Sequence, residues 1–111
     1  MTSDAPLPDR PVRGSESGRP IMALLDLLGR RWALRVIWEL RKEPLLFRTL
    51  QERCDGMSSS VLNQRLKELR SAGIVESDDG GYRLTDEGRS LAEAYRPLAA
   101  WAERWGERVR R

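Results

Sequence analysis

The sequence predicts a mainly α domain with one small β-hairpin. Apolar residues recur every three or four positions through most of the chain after residue 20, which is the period of a helix. Residues 74–85 break this period, because two short apolar runs there flank a tight-turn signal at 78–81. A length of 111 residues suits one domain around one core.

The first 20 residues are predicted to form a disordered tail, and residues 21–111 to form the domain. Four of the six prolines lie in this tail, together with several serines and glycines and few large apolar side chains. Such a segment buries too little apolar surface to offset the entropy that folding costs. Its acidic and basic residues balance, so the tail carries no net charge.

The first half of the domain is predicted to contain three helices. Pro20 suits the start of the first helix, and Gly29 suits a break after it. The second helix is predicted over 30–42, where apolar residues repeat at helical spacing, and a third, shorter helix over 47–53. The two leucines at 45–46 are compatible with a very short strand between them.

A fourth helix, the hairpin and a long final helix are predicted for the second half. Ser58 is a favourable cap for a helix that runs to Ala72, and Gly73 suits the position just past its end. Thr85 is the expected cap of the final helix, which runs to about Arg108. Two helices, a short helix, a tight turn, a helix, a hairpin and a helix follow the order of a winged helix-turn-helix domain.

The predicted fourth helix has two distinct sides. Leu62, Leu66 and Leu69 form one stripe that would face the core. The opposite side is polar and, apart from Glu68, free of acidic residues. Asn, Gln and Ser side chains bond to base edges, whereas Lys and Arg neutralise phosphates. In a helix-turn-helix domain, the helix in this position enters the major groove of DNA.

We therefore expect this helix and its surroundings to bind DNA. Ser60, Asn63 and Gln64 are the candidates for contacts with base edges. The full set of side chains expected to contact DNA is Arg48, Ser58, Ser59, Ser60, Asn63, Gln64, Arg65, Lys67 and Arg83. A polar outer side is also what any surface helix shows, so the assignment depends on the order of the elements around it.

The predicted hairpin is short and acidic, unlike wings that touch DNA with basic residues. Glu76, Asp78 and Asp79 are accompanied there by one basic residue, Arg83. Phosphates repel an acidic tip. We therefore expect a mainly structural wing, in which Arg83 is the one side chain able to reach a phosphate.

The final helix carries an apolar stripe that is larger than one small core needs. The stripe recurs at steps of three and four and includes two of the four tryptophans. Large aromatic side chains are typical interface anchors, so we expect a two-fold homodimer. The expected interface residues are Leu24, Leu91, Tyr95, Leu98, Trp101 and Trp105. The alternative is that Trp101 and Trp105 pack on the first two helices of their own chain.

A pocket for an unknown small-molecule effector is compatible with the tryptophan content. The residues that would line it are Trp32, Trp38, Trp101 and Trp105. Apolar stripes on helices are more often part of a core, and the packing that would shape a pocket does not follow from the sequence.

The composition excludes several kinds of chemistry. The chain has no histidine and one cysteine, so it holds neither a Ser-His or Cys-His nucleophile, nor a His/Cys zinc site, nor an internal disulfide. We expect no enzyme activity, no metal, no cofactor, and a reducing, cytoplasmic location. We also expect no signal peptide and no membrane span, because the longest apolar block, at 21–28, is short and interrupted by an acid.

The single cysteine, Cys54, lies in the turn before the predicted fourth helix. Oxidation at this place would displace the helix and so act as a redox switch. We favour the alternative, in which Cys54 is a small buried turn residue.

Six stretches of the sequence, at 27–32, 44–50, 57–69, 72–75, 82–85 and 88–89, together resemble the HxlR-type branch of the MarR-like regulators. The resemblance implies a dimeric winged helix-turn-helix transcription regulator. It also implies that the N- and C-terminal helices form the dimer interface and that the fourth helix enters the major groove.

The chain departs from the family pattern in two places. Some members sense electrophiles or oxidants through a cysteine just before a proline, and Arg19 occupies that place before Pro20 here. The wing is also shorter than is usual in the family and lacks its basic, proline-containing run.

The favoured hypothesis is a sequence-specific transcriptional regulator that binds an inverted-repeat operator as a homodimer. Repression is favoured over the alternative, activation. In a variant of this hypothesis, the tail at 1–20 is an arm that contacts DNA. The alternative is a winged-helix module that binds a protein partner and no DNA, which the acidic wing and the modest net charge of +3 favour. Salt-dependent DNA affinity separates the two.

Overall fold

The computed structural model describes residues 5–110, which hold five helices and two strands. The elements are α1 Pro20–Leu28, α2 Ala33–Glu39, α3 Phe47–Arg53, α4 Ser59–Ser71, β1 Val75–Asp78, β2 Gly81–Leu84 and α5 Asp86–Arg110. The prediction of a mainly α domain with one small hairpin is confirmed, and so is the predicted order of the elements.

The second helix is shorter than predicted. The sequence indicated residues 30–42, whereas α2 spans Ala33–Glu39. Trp32 has a φ of 75°, a left-handed conformation that no helix contains, so the residues after Gly29 form a turn. At the other end, Pro44 disfavours a helical conformation in the residue before it. Apolar spacing predicted which residues face the core, but not where the helical hydrogen bonds stop.

The predicted helix caps are present. The Ser58 hydroxyl accepts a hydrogen bond from the Val61 amide at 3.1 Å and so satisfies one free donor at the start of α4. The Thr85 hydroxyl accepts one from the Gly88 amide at 3.0 Å at the start of α5. Gly73, with a φ of 76°, follows the end of α4.

The final helix, α5, is 25 residues long and continues through Pro97. Its first turn carries Asp86 and Glu87, which stabilise the positive end of the helix dipole. None of the helices within residues 5–110 is long and apolar enough to cross a membrane.

The hairpin is tied to the chain segment before α3. Val75 pairs with Leu84 and Ser77 with Tyr82 in an antiparallel register. Leu45 and Tyr82 also exchange both backbone hydrogen bonds, at 2.8 and 2.9 Å, so Leu45 acts as the very short third strand that the sequence suggested. Gly81 allows this approach, because a Cβ there would lie 2.5 Å from the Leu45 carbonyl oxygen.

One apolar core joins all the elements. It holds Leu27 of α1, Val36 and Ile37 of α2, and Leu50 of α3. From the rest of the chain it includes Cys54, Met57, Leu62, Leu66, Leu69, Val75 and Leu84. The predicted inward stripe of the fourth helix is therefore confirmed, and it fixes which side of α4 faces solvent.

Residues 5–19 belong to the segment predicted to be a disordered tail, and they form backbone hydrogen bonds. Residues 1–4 lie outside the described part of the chain. The Asp9 amide donates to the Gly18 carbonyl at 2.9 Å, and Val12 and Ser15 exchange two backbone bonds. Ala5 is buried, and Pro6 lines a small pocket together with Leu24 of α1. Composition suggested disorder, but prolines lose little backbone entropy on packing, and α1 presents apolar surface for them.

Candidate nucleic-acid interface

The solvent side of α4 is polar throughout. With three leucines of the helix buried, the residues one half-turn away point outward. We name this set the reading face, and it consists of Ser59, Ser60, Asn63, Lys67, Arg70 and Ser71, all exposed. Side chains at such spacing lie along one line of the helix, which is the arrangement needed to enter a groove.

Three cations accompany this face. Lys67 and Arg70 belong to it, and Arg48 is exposed on α3. None of the three forms an ion pair with another residue in the range 5–110. Arg70 was not among the predicted contacts, although its position three residues after Lys67 on the same line could have indicated it. The charges of all three are available to a ligand.

Two predicted DNA contacts point elsewhere. Gln64 donates its side-chain amide to Glu68 Oε2 at 3.1 Å. Arg65 donates from Nη1 to Glu68 Oε1 at 2.8 Å and from Nε to the Arg31 carbonyl at 2.6 Å. The Arg65 side chain is 18% exposed. The Arg65 guanidinium links α4 to the turn before α2, and its expected contact with a phosphate stays a prediction.

The acceptor of these bonds, Glu68, is a buried carboxylate. The helical spacing predicted that Glu68 lies on the outer side of the helix, whereas its side chain is 2% exposed. Arg30, from the turn between α1 and α2, also pairs with it. We name Glu68, Arg30, Arg65 and Gln64 the Glu68 cluster. A buried charge of this kind requires a paired, hydrogen-bonded partner, and here two arginines provide it.

The serines at the start of α4 are ordered by short-range bonds. Besides capping the helix, the Ser58 hydroxyl lies 3.2 Å from that of Ser60. The Ser59 hydroxyl accepts from the Gln51 side chain at 3.0 Å, and the same amide nitrogen donates to the Met57 carbonyl at 2.9 Å. Gln51, which no sequence pattern singled out, therefore links α3 to the start of α4. All three hydroxyls stay exposed beside the positive end of the helix.

The arginine of the wing forms ion pairs with acidic residues of the same hairpin. Arg83 donates to Glu76 at 2.9 Å and pairs with Asp78, and these three residues form what we name the wing cluster. The hydrogen bond to Glu76, followed by that to Asp78, raises the pKa of Arg83. The Gly80 amide, and after it Arg83, lowers the pKa of Asp78. The charge of Arg83 is balanced within the hairpin, and its expected contact with a phosphate stays a prediction.

The long helix α5 divides into a packed half and an exposed half. Leu91 packs against the core, and the Tyr95 ring meets Trp38 edge-on at 5.9 Å, so these two expected interface residues make contacts within their own chain. Leu98 is exposed, as are Trp101 at 47% and Trp105 at 50%, with their rings stacked 5.9 Å apart.

We name the exposed apolar line of α5 the apolar stripe, and its members are Leu98, Trp101, Trp105 and Val109. Ile21 and Leu25 of α1 are also exposed. The predicted interface residue on α1, Leu24, is instead half-buried beside the N-terminal segment. Apolar residues lie on more than one face of α1, so helical spacing alone does not show which of them is exposed. The segment that covers Leu24 was also expected to be disordered.

Cys54 is fully buried in the core. Burial raises the pKa of its thiol, and the nearby Arg35 guanidinium opposes this with a smaller effect. A buried, protonated thiol is a poor nucleophile, which counts against a redox switch and favours the structural interpretation. Among the described residues, no group of three or more His, Cys, Asp or Glu lies close enough to hold a metal ion.

Comparison with known proteins identifies the same architecture. A family model described as HxlR-like helix-turn-helix matches residues 27–110. The HTH-type transcriptional regulator YvaP of Bacillus subtilis is 31% identical over 88 residues, which cover 73% of this chain and 82% of that protein. YodB, an HTH-type transcriptional regulator of the same organism, is 33% identical over 89 residues, covering 74% and 80%.

Solved structures agree with the sequence relatives. Quinone-bound YodB from B. subtilis superposes with a TM-score of 0.72 at 33% identity, over 76% of this chain and 96% of that one. A protein described as a possible HxlR family transcriptional factor, from Thermoplasma volcanium, superposes with a TM-score of 0.68 at 27% identity, over 76% of this chain and 82% of that one. The resemblance drawn from the sequence is confirmed.

Proposed function

Because this chain belongs to the HxlR-like helix-turn-helix family of DNA-binding transcriptional regulators, we propose that it binds an inverted-repeat operator as a homodimer and represses transcription. The observation that carries the proposal is the reading face, where exposed amide and hydroxyl groups lie beside cations that have no carboxylate partner in the described chain. Repression follows if the bound dimer excludes the polymerase from the promoter, and the site of action is the cytoplasm.

We assign the roles of the reading face and of Arg48 on α3 by chemistry and exposure. Asn63 is the main candidate for a base edge, because an Asn amide bonds adenine through two atoms. Lys67, Arg70 and Arg48 are assigned to phosphates, and the exposed serines at the start of α4 present their hydroxyls beside them. Gln64 keeps a secondary role, since its amide nitrogen already donates to Glu68.

The apolar stripe supports the homodimer. Two stacked tryptophans that are half exposed form an apolar patch of the kind found at interfaces. A two-fold contact through the stripe would bury the same surface on both copies and present two reading faces to the same side of a DNA duplex. Operator half-sites would then lie about one helical turn apart.

A small-molecule effector is part of the proposal, because the similar YodB structure is quinone-bound. The sole cysteine of this chain is buried and its thiol pKa is raised. An effector would therefore act here by non-covalent binding.

A winged-helix module that binds a protein is the second candidate, and the acidic wing favours it. Asp79 is exposed at the tip, and Arg83 is already paired with two other acids. Such a surface repels DNA and suits a basic partner.

The test is binding of the purified protein to the intergenic DNA upstream of its own gene, at several salt concentrations. Wild-type protein is expected to bind selectively, with an affinity that falls as salt rises because phosphate contacts release counterions. Lys67→Ala should reduce the slope of log affinity against log salt by about one. Asn63→Ala should reduce sequence selectivity by about 1–3 kcal/mol.

Arg104→Ala, which removes an equal charge from α5, is the matched control and should leave both quantities unchanged. Weak, unselective binding that Lys67→Ala does not alter would reject DNA reading by α4 and favour the protein-binding module.

The homodimer is tested by analytical ultracentrifugation. Wild-type protein should sediment as a dimer at micromolar concentration. Trp101→Glu should shift it to monomer, because a charge replaces a ring in the proposed interface, and should weaken operator binding. Arg104→Ala serves as the control on the same helix, and a wild-type monomer would contradict the proposal.

A further inference from the structure

The two sides of α4 that border its solvent face carry opposite charge. On one side lies the hairpin, whose strand β1 borders a depression shared with Lys67 and Arg70 of α4. The hairpin has three acidic residues and one arginine, and that arginine is paired with two of the acids. On the other side lie the turn between α1 and α2 and the N-terminal loop, which we define as residues 9–18.

The second side is rich in arginine. We name it the arginine flank, and it consists of Arg13, Arg30, Arg31 and Arg65. Three of these line a depression of about 370 Å³ together with Asp26. Arg31 adjoins the depression, because Arg65 donates to its carbonyl at 2.6 Å. The carboxylates among these groups are those of Asp26 and Glu68, so positive charge exceeds negative charge by two.

Two of the four arginines supply this excess. Arg30 and Arg65 pair with Glu68, whereas Arg13 and Arg31 are exposed and form no ion pair with another residue in the range 5–110. The Arg31 guanidinium lies 5.8 Å from the centre of the Trp32 ring. A guanidinium beside an aromatic ring keeps N–H groups that can donate to an oxyanion.

The N-terminal loop holds Arg13 in place through its backbone. The Arg13 amide donates to Asp26 Oδ2 of α1 at 3.2 Å. Within the loop, the Ser15 hydroxyl accepts from the amides of Gly18 and Arg19, each at 3.2 Å. The loop contains two acids and two arginines, so its contribution depends on where Arg13 is placed and not on net charge. Replacing the Arg13 side chain leaves these bonds intact.

The position of the arginine flank matches the shape of a DNA groove. The major groove runs between two phosphate backbones, so a helix that lies in it has one backbone on each side. With the reading face in the groove, one backbone would lie on the side of the hairpin and the other on the side of the arginine flank. An acidic hairpin repels phosphates, whereas unpaired arginines attract them.

We propose that the arginine flank binds the phosphate backbone of the operator, with Arg13 and Arg31 as the contacting side chains. The inference rests on the proposed DNA binding by α4. It gives the N-terminal loop, which precedes the range that the family model matches, the contact that the acidic wing does not favour. Phosphate contacts carry no sequence information, so the arginine flank raises affinity equally for any duplex.

The test compares Arg13→Gln and Arg31→Gln with wild type in fluorescence-anisotropy titrations. The probes are the upstream duplex and a scrambled duplex of equal length. Each variant should bind both duplexes about ten-fold more weakly at about 0.1 M salt, and the difference should vanish towards about 1 M salt. The slope of log affinity against log salt should fall by about one. The ratio of the two affinities should keep its wild-type value.

Two further variants are matched controls. Arg104→Gln makes the same change of charge on α5, away from the arginine flank, and should leave both slope and ratio unchanged. Asn63→Ala on the reading face should give the opposite signature, a lower ratio with an unchanged slope. Circular dichroism checks that every variant is folded.

Neutral methylphosphonate substitution of single phosphates in the upstream duplex locates the contact. A substitution at the phosphate that Arg13 contacts should weaken wild-type binding and leave the binding of Arg13→Gln unchanged. Since the two changes remove the same contact, their effects should not add.

The possible failures are distinguishable. Selective wild-type binding with an unchanged slope in both variants would reject the arginine flank and leave the proposed function intact. A slope lowered in Arg31→Gln alone would exclude the N-terminal loop from the contact. A wild-type protein that does not bind the upstream duplex selectively would reject both proposals. Calorimetric binding of inorganic phosphate that Arg13→Gln abolishes, with no change in slope, would make the flank a site for a free anion.

Discussion

The Glu68 cluster and the wing cluster have the same arrangement with opposite charges, since in each a side chain of one charge lies between two of the other. In one, the Glu68 carboxylate lies between two arginines. In the other, the Arg83 guanidinium lies between two acids. They differ in burial, since the Glu68 side chain is 2% exposed and that of Arg83 is 41% exposed.

Burial decides what each cluster contributes. A buried carboxylate has lost its water and depends on its partners, so removing any of them is costly. When an exposed ion pair breaks, water replaces the lost contacts at almost equal free energy, so the pair contributes little to stability. We infer that the Glu68 cluster holds α4 on the turn before α2, whereas the wing cluster mainly neutralises the hairpin.

Both clusters also determine which charges can reach DNA. Arg65 and Arg83 are occupied within the protein, whereas Arg48, Lys67 and Arg70 form no ion pair with another residue in the range 5–110. A count of basic residues in the sequence therefore misjudges the electrostatic surface. Pairing has to be known before a basic side chain is assigned to a phosphate.

The largest effect is expected for Glu68→Ala. The change removes the buried acceptor to which Arg30 and Arg65, both mostly covered, donate. We expect the free energy of unfolding to fall by about 3 kcal/mol. Urea denaturation at one fixed protein concentration measures it, because the stability of a dimer depends on concentration.

Glu68→Gln is the control for this change. It keeps the shape and the hydrogen-bond acceptor but removes the charge, so it should lose less stability than Glu68→Ala. Wild-type stability in Glu68→Ala would show that burial does not distinguish the two clusters.

A smaller effect is expected for Arg83→Met, the corresponding change in the wing. The exposed guanidinium is solvated again when the fold opens, so the urea midpoint should stay at the wild-type value within error. The salt slope of DNA binding should also be unchanged, because the Arg83 charge is neutralised by its own hairpin. A slope reduced by about one would show that Arg83 contacts a phosphate after all.

Arg65→Met provides the comparison in the buried cluster. The two variants remove the same charge and leave the same apolar stem. Only Arg65→Met should lower the urea midpoint, since it deprives Glu68 of one partner and the Arg31 carbonyl of its donor. Equal midpoints would contradict the difference drawn between the clusters.

The fold could be predicted because it depends on local signals. Period, caps and turns are properties of neighbouring residues, and Ser58, Gly73 and Thr85 act as their types predict. The limits of α2 could not be predicted in the same way, because apolar spacing continues through a turn that the left-handed Trp32 creates.

Part of the candidate nucleic-acid interface could be predicted from the sequence, because a local pattern determines which side chains are exposed. Asn63 and Lys67 are exposed because the leucine stripe fixes the rotation of α4. The state of Arg65 depends on Glu68 and on Arg30, which is 38 residues away in sequence from Glu68. No local pattern contains such a contact, and the same holds for Leu24, which a segment without helical period covers.

The smallest effect concerns the titration of Asp78 in the wing. The Gly80 amide and, after it, Arg83 lower the pKa of this exposed carboxyl below its ordinary range. A carboxyl with a lower pKa in the folded state stabilises the fold above the unfolded pKa of about 4. This stabilisation is lost as the pH falls through the pKa of the folded state. The hairpin should therefore keep its register at neutral pH and loosen only in acid.

Nuclear magnetic resonance titration of the Asp78 carboxyl carbon measures this directly. In wild type, the midpoint should lie below that of a free aspartate. In Arg83→Met it should rise but stay below the ordinary value, because the Gly80 amide, 2.8 Å from the carboxylate, still donates. A midpoint at the ordinary value in the variant would make Arg83 the main cause of the shift. The wing cluster would then stabilise the hairpin through its ion pairs, as the Glu68 cluster stabilises α4, and exposure alone would not separate the two.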